Sequence, residues 1–310
     1  MAQTKHQIEA LLSVAGAKPR QQFGQNFMID QNLVRAVAQA GRVTMEDCII
    51  EVGPGTGSLT EELLDRAGQV VAVEIDRNLA ALLRTTLGGR PNFKLIEGDA
   101  LAGKHELSPA LAASIAEAGH SGRPVKLVAN LPYNVASPLV IEMLLAGTEE
   151  LAFTVQREVA QRLGGGAGTG EYGPLSIMAQ LLSRVQVLRR IPPQAFWPSP
   201  KIDSALVRLT RDDRLGPRAR SFGAFVHALF SFRRKTLRRA LAQAGCNAEA
   251  VLAAAGFDGG RRAEEFAPEA FVALFDAVEK VQIQTTEHTE NTERRGAGRR
   301  SPQINTDKYR

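Results

Sequence analysis

The chain has 310 residues, of which 44% are hydrophobic and 23% charged, with a formal net charge of +5, the profile of an ordinary globular protein of one or two domains. No apolar run approaches the roughly 18 residues of a membrane span, and Met1 to His6 lacks the apolar stretch of a secretory signal, so a cytoplasmic location without membrane association is expected. The two cysteines, Cys48 and Cys246, are far apart in apolar contexts, which argues for buried small hydrophobes and against a disulfide framework or a metal site.

In chain order, the stretch to about Ala40 carries helical periodicity, interrupted at Lys18-Pro19-Arg20. Strand-like and helix-like segments then alternate. Cys48 to Val52 is predicted as a strand, followed by a glycine-rich turn and a helix opening near Leu59. Gln69 to Glu74 is a second strand, Asn78 to Leu87 a helix, and Phe93 to Ile96 a third strand. Ala102 to Arg123 is Ala-rich with polar ends and is predicted as a surface excursion. Val125 to Ala129 is a fourth strand and Leu151 to Gln156 a fifth, followed by a helix through Leu163. Gly164 to Gly170 is too rich in glycine to hold one shape unaided. Arg184 to Arg190 and Ser204 to Leu209 are predicted to pair antiparallel. The alternation predicts a doubly wound, largely parallel α/β sheet over residues 1–212. Helical periodicity over Ser221 to Ala244, Glu249 to Ala255 and Pro268 to Val281 predicts a small helical domain over 213–281. The polar residues 282–310 read as a disordered tail.

Four strand ends carry the chemistry. Glu51 to Thr60 ends the first strand in a Gly-x-Gly-x-Gly turn, Gly53, Gly55 and Gly57, and opens a helix. Glycine lets the backbone approach a ligand closely. The dinucleotide fingerprint is spaced differently, Gly-x-Gly-x-x-Gly, which favours S-adenosylmethionine over a pyrophosphate cofactor. Glu74 ends the second strand, about 20 residues on, where a carboxylate can hold ribose hydroxyls. Asp99, in Glu97-Gly98-Asp99-Ala100, ends the third and can accept from an adenine amino group. A nicotinamide dehydrogenase is the alternative for the glycine turn, and it leaves the next motif unexplained.

That motif is Asn130-Leu131-Pro132-Tyr133, at the carboxyl end of the fourth strand. It suits a flat base that offers an amine. The Asn130 carboxamide oxygen and the Leu131 carbonyl can accept the two amine hydrogens, Pro132 locks the backbone, and Tyr133 can stack on the ring. A basic cluster lies further on: Arg211, Arg214, Arg218, Arg220, Arg233, Arg234, Lys235, Arg238 and Arg239, opposed by Asp212 and Asp213. It is the electrostatic footprint expected for phosphate backbones, with a solvated helix face as the alternative.

From about Pro19 to Ala277 the chain resembles the small-subunit ribosomal RNA adenine dimethyltransferases of the KsgA/RsmA family. The likeness rests on Phe23 to Asp30, the glycine turn, Val73 to Asp76, Glu97 to Ala100, Asn130 to Pro138, Gln156 to Ala160, Phe196 to Ser204 and Phe232 to Leu237. The resemblance implies a Rossmann-like, S-adenosylmethionine-dependent methyltransferase domain followed by a helical RNA-binding domain. It implies dimethylation of two adjacent adenines in the hairpin loop near the 3′ end of 16S ribosomal RNA, and a monomeric enzyme whose partner is the small ribosomal subunit, with a role in its biogenesis. By position, Asn26, Met28, Gly53, Gly55, Glu74, Asp99 and Asn130 would contact the cofactor. Asn130, Leu131, Pro132 and Tyr133 would hold the adenine, with Phe196 either a second aromatic wall or a core-packing side chain. Arg233, Arg234, Lys235, Arg238 and Arg239 would hold the RNA backbone. Family members commonly carry Leu where this chain has Met28, and a lysine expected before Tyr172-Gly173 is absent. Three alternatives share parts of the pattern: a large-subunit RNA adenine methylase, a non-catalytic assembly or transcription factor on the same fold, and a DNA adenine methylase, against which Leu131 speaks.

Overall fold

The computed structural model describes residues 3–20, 24–103 and 105–297. Phe23, Lys104 and residues 298–310 of the expected tail lie outside them. The chain divides into two compact units, Met1–Gly223 and Ala224–Arg310, so the division falls later than 212. The reason is that arginines at the end of the last strand and beyond it are tied back into the first unit. Arg211 donates to the Leu144 carbonyl at 2.7 Å, and Arg220 meets the buried Glu142 at 2.9 Å.

The first unit opens with α1 (Lys5–Val14), started by a reciprocal cap between Thr4 and Gln7. The chain then forms a short strand, β1 (Phe27–Met28), where helical periodicity alone had been expected. Next comes α2 (Gln31–Ala40), capped by Asp30 and burying Leu33, Val34, Val37 and Ala38 along one stripe. Two strand–helix repeats and a third strand follow: β2 (Cys48–Val52) with α3 (Ser58–Leu64), β3 (Gln69–Glu74) with α4 (Arg77–Leu87), and β4 (Phe93–Glu97). After β4 a small hairpin, β5 (Leu101–Gly103) and β6 (Glu106–Leu107), leads into α5 (Pro109–His120).

This region corrects the expected surface excursion. α5 is capped by Ser108, starts at Pro109 and buries Leu111, Ser114, Ile115 and Ala118. Its stripe of large apolar side chains is narrow, Leu111 and Ile115, among several alanines. The helix is the crossover between parallel strands, as such strands require.

The unit continues with β7 (Val125–Asn130), α6 (Ala136–Leu145), β8 (Glu150–Gln156), α7 (Arg157–Leu163), α8 (Pro174–Leu182), β9 (Ser183–Ile191), β10 (Phe196–Trp197) and β11 (Ser204–Arg211). Seven strands form one sheet in the order β4-β3-β2-β7-β8-β11-β9. β4, β3, β2, β7 and β8 run parallel, while β11 pairs antiparallel with both β8 and β9. All five residues of β2 are buried, as in a strand covered on both faces. The chain reverses its direction of travel across the sheet between β2 and β7, and the crevice at such a switch point is where open α/β sheets bind ligands. The loop over 164–170 is tied down more than its glycines suggest: Gln180 donates to the carbonyls of Leu163 and Gly165, and the Thr169 hydroxyl to that of Gly166.

The division between units falls within α9 (Ala219–Phe230). The second unit adds α10 (Leu237–Gln243), α11 (Ala248–Ala255) and α12 (Pro268–Ala297), with Phe225 against Phe275 and Phe230 against Phe271 in its core. The single helix expected over 221–244 is broken at 231–236. The first amides of α10 find acceptors outside the helix, Leu237 on the Arg261 carbonyl and Arg238 on that of Gly259. The expected tail is also corrected in part: α12 runs on to Ala297, through a segment whose Gln, Glu and Arg are good helix formers. Cys48 is buried as expected, whereas Cys246 is half-exposed.

Candidate active site

A cavity opens at the carboxyl ends of β2, β3, β4 and β7. Its lining includes Asn26, Phe27, Met28, Glu51, Gly53, Gly55, Thr56, Ser58, Glu74, Asp99, Asn130 and Pro132. All seven residues expected to touch a cofactor therefore lie together. The turn after β2 holds Gly53 at φ +74° and Gly55 at φ +62°, a region that costs other residues free energy. A Cβ at Gly53 would stand 3.0 Å from Pro132 Cγ, and one at Gly55 2.9 Å from Phe27 Cε1. Phe27, which no motif marked as functional, thus closes over the glycine turn.

Glu74 ends β3 with both carboxylate oxygens turned to the cavity floor. Oε2 accepts from the Gly55 amide at 3.1 Å and Oε1 from the Asp76 amide at 2.9 Å. Burial pushes its pKa up to about 7 against these hydrogen bonds. Glu51, 1% exposed, is pushed up to about 8 by burial, with the Glu74 charge adding to the effect and Thr60 opposing it. Its Oε2 has no hydrogen-bond partner among the described residues. Asp99 is exposed at the rim, where Oδ1 accepts from the Leu101 amide at 3.0 Å.

The Asn130 carboxamide is held from two sides. Nδ2 donates to the Asn26 carbonyl at 2.7 Å, and Oδ1 accepts from the Thr154 hydroxyl on the neighbouring β8. An amide oxygen carries two lone pairs, so one remains for a ligand. Pro132 lines the same cavity, while the Leu131 side chain is buried beneath the turn. The Tyr133 hydroxyl is 2.9 Å from Ser204 Oγ at the start of β11, and burial raises its pKa, so the phenol stays protonated at neutral pH.

Phe196 follows the core-packing alternative. It is 2% exposed, belongs to the hydrophobic core with Leu33, Ile191 and Leu206, and does not line the cavity. The reason is strand alternation: in the β1–β10 ladder Phe196 pairs with Met28 and points inward, leaving Trp197 half-buried and stacked on Phe27 with ring centroids 6.3 Å apart.

The basic cluster is divided. In the first unit Arg211 and Arg220 are committed to Leu144 and Glu142, Arg211 also to Asp213, and Arg214 to the Gln180 carbonyl. In the second, Arg233 pairs with Glu264 and Arg238 with Glu249, while Arg234, Lys235 and Arg239 are exposed. Among the described residues no group of His, Cys, Asp and Glu side chains is placed to hold a metal ion, and no helix is long and apolar enough to cross a membrane.

A family model described as ribosomal RNA adenine dimethylase matches residues 16–280. The chain is 39% identical over 274 residues to the ribosomal RNA small subunit methyltransferase A of Moorella thermoacetica, covering 86% of this chain and 94% of that one. It is 38% identical over 270 residues to the protein of the same name from Pseudomonas savastanoi pv. phaseolicola, covering 85% and 96%. Among solved structures, the crystal structure of the 23S rRNA methyltransferase ErmE is similar at a TM-score of 0.58 and 30% identity, over 82% of this chain and all of that one. A dimethyladenosine transferase from Plasmodium falciparum shares the fold at a TM-score of 0.63 and 21% identity, over 82% and 97%.

Proposed function

Because this chain belongs to the ribosomal RNA adenine dimethylase family, we propose that it carries methyl groups from S-adenosylmethionine to the exocyclic amines of two adjacent adenines in the 3′-terminal hairpin loop of 16S ribosomal RNA, acting in small-subunit biogenesis. The observation that carries this reading is the Asn130 carboxamide, clamped between Asn26 and Thr154 at the mouth of the cavity with one oxygen lone pair uncommitted.

The donor set fits the cofactor. Glu74 stands where ribose hydroxyls would be held, Asp99 where an adenine amine would be, and Glu51 Oε2 is a buried polar atom of the cavity lining with a hydrogen bond still to make. Bound S-adenosylmethionine supplies an activated methyl group, and the protein's part is orientation. Asn130 Oδ1 and the Leu131 carbonyl accept the amine hydrogens, which favours a pyramidal nitrogen and aims its lone pair. Tyr133, tethered by Ser204, offers a fixed ring for the base to stack on. Orientation of this kind can supply about 7–11 kcal/mol of barrier reduction. No base is needed before transfer, since the amine becomes acidic once methylated. The target must leave its stack, at a cost of a few kcal/mol that is least in a loop, and the exposed Arg234, Lys235 and Arg239 would hold the backbone meanwhile.

The test uses the purified protein, labelled S-adenosylmethionine and small subunits from a strain lacking the modification, followed by nucleoside analysis. Dimethyladenosine in the small-subunit RNA is the expected product. Label in large-subunit RNA alone would instead favour the activity named for ErmE. No transfer to either, with tight cofactor binding, would favour an assembly role.

A further inference from the structure

The cofactor turn is braced by a residue far from every motif. Gln3 is 8% exposed and makes three hydrogen bonds to the stretch between Gly55 and Leu59. Its backbone amide donates to Ser58 Oγ at 3.2 Å, its Nε2 donates to the Thr56 carbonyl at 3.0 Å, and its Oε1 accepts from the Thr56 hydroxyl at 2.6 Å. Thr56 and Ser58 both line the cavity. α1, which follows directly, buries Ile8 and Leu12 in a cluster with Phe27, and Phe27 lies over Gly55. The N-terminal segment therefore grips the turn from two directions.

We propose that Gln3 is a positioning residue of the cofactor site, fixing the glycine turn and the polarity of the two hydroxyls it presents. The role rests on the reading of this cavity as the S-adenosylmethionine site. The Thr56 carbonyl requires a donor, which settles the orientation of the Gln3 amide and leaves Oε1 facing the Thr56 hydroxyl. That hydroxyl spends its proton on Gln3 and keeps lone pairs for the cavity. Ser58 accepts from the Gln3 amide and keeps its proton to donate. The turn thus shows an acceptor at Thr56 and a donor at Ser58, a pairing that suits a ligand carrying both a cationic and an anionic group. Without Gln3 both hydroxyls rotate, and the buried Thr56 carbonyl loses its partner.

Three measurements on the full chain test this: the Kd for S-adenosylhomocysteine by calorimetry, the thermal midpoint of the ligand-free protein, and the KM for S-adenosylmethionine against kcat. Gln3→Ala is expected to raise the Kd and the KM for S-adenosylmethionine about tenfold, the loss for one to two hydrogen bonds, with kcat within about twofold. Gln7→Ala is the control, because it removes the Gln7 side-chain half of the reciprocal cap on the same helix, the bond accepted from the Thr4 amide, without touching the turn. It should lower the thermal midpoint as much as Gln3→Ala while leaving the Kd unchanged. Equal ligand affinity in Gln3→Ala and the unmodified chain would overturn the proposal, as would an equal loss of ligand affinity in both variants. If the unmodified chain fails to bind S-adenosylhomocysteine at all, the reading of the cavity itself falls, and this role with it.

Discussion

The hydroxyl of Thr154 donates to Asn130 Oδ1 across the β7–β8 ladder, in which the two residues are paired. One strand thereby sets the direction in which its neighbour's carboxamide presents its remaining lone pair. Thr154→Val keeps the shape and removes the donor, so Asn130 loses one of its two restraints. A fall in kcat of about tenfold is expected, equivalent to one hydrogen bond, with the Kd for S-adenosylhomocysteine unchanged. Single-turnover methyl transfer and calorimetry separate the two effects.

Removal of the carboxamide itself should be far more damaging. Asn130→Ala is expected to cut turnover by at least about a hundredfold, the scale seen when one transition-state hydrogen-bonding group is lost, and cofactor affinity much less. Near-normal turnover of this variant would sink the assignment of the amine-holding role.

Glu51 predicts a pH effect on stability. Its pKa is about 8 in the folded chain, against about 4.5 for an unperturbed glutamate. The folded state therefore binds the proton more tightly than the unfolded one, and the stability this confers is full at low pH. It is lost progressively as pH rises from about 4.5 to about 8. Glu51→Gln removes this dependence. In thermal melts without cofactor, the variant should gain on the parent chain steadily between pH 5 and pH 8.5. A constant difference across that range would contradict the shift.

Salt dependence distinguishes the cations of the second unit. Arg234 and Lys235 are exposed, whereas Arg238 already pairs with Glu249 and Arg233 with Glu264. Each phosphate contact adds about 0.7–0.9 to the slope of log affinity against log salt. Arg234→Ala and Lys235→Ala should each reduce the slope for small-subunit RNA by about that amount, and Arg238→Ala by less. Filter binding over a salt series reads the slopes directly.

The crossover helix α5 should be structurally expensive to disturb, despite its alanine-rich sequence. Leu111 is fully buried, and Leu111→Ala is expected to destabilise the fold by about 2–5 kcal/mol, read by chemical denaturation. A surface excursion would tolerate the change.

The site was far more legible in the sequence than its supports. Gly53, Glu74, Asp99 and Asn130 announce themselves because each ends a strand, and strand ends of a doubly wound sheet converge on one crevice. Thr154 left a weak signal, a lone polar residue inside an apolar strand. Gln3 left none, since its partners are set by a tertiary approach across more than fifty residues. Phe196 stayed open between wall and core because a motif fixes which residues are adjacent, whereas the two-residue ladder with Phe27 and Met28 decides which of Phe196 and Trp197 turns inward. α5 was hidden by alanine, which marks a helix without marking its buried face.

That same ladder, Phe27 with Trp197 and Met28 with Phe196, has a bearing on how the protein is made. One wall of the cavity comes from the start of the chain, and the strand that holds this wall in place comes from beyond its middle. A nascent chain must therefore expose β10 before the wall can be fixed, and contacts so distant in sequence form slowly. A ligand that needs this wall would accordingly bind the chain only once β10 is in place, and would favour the completed first unit over the half-made chain.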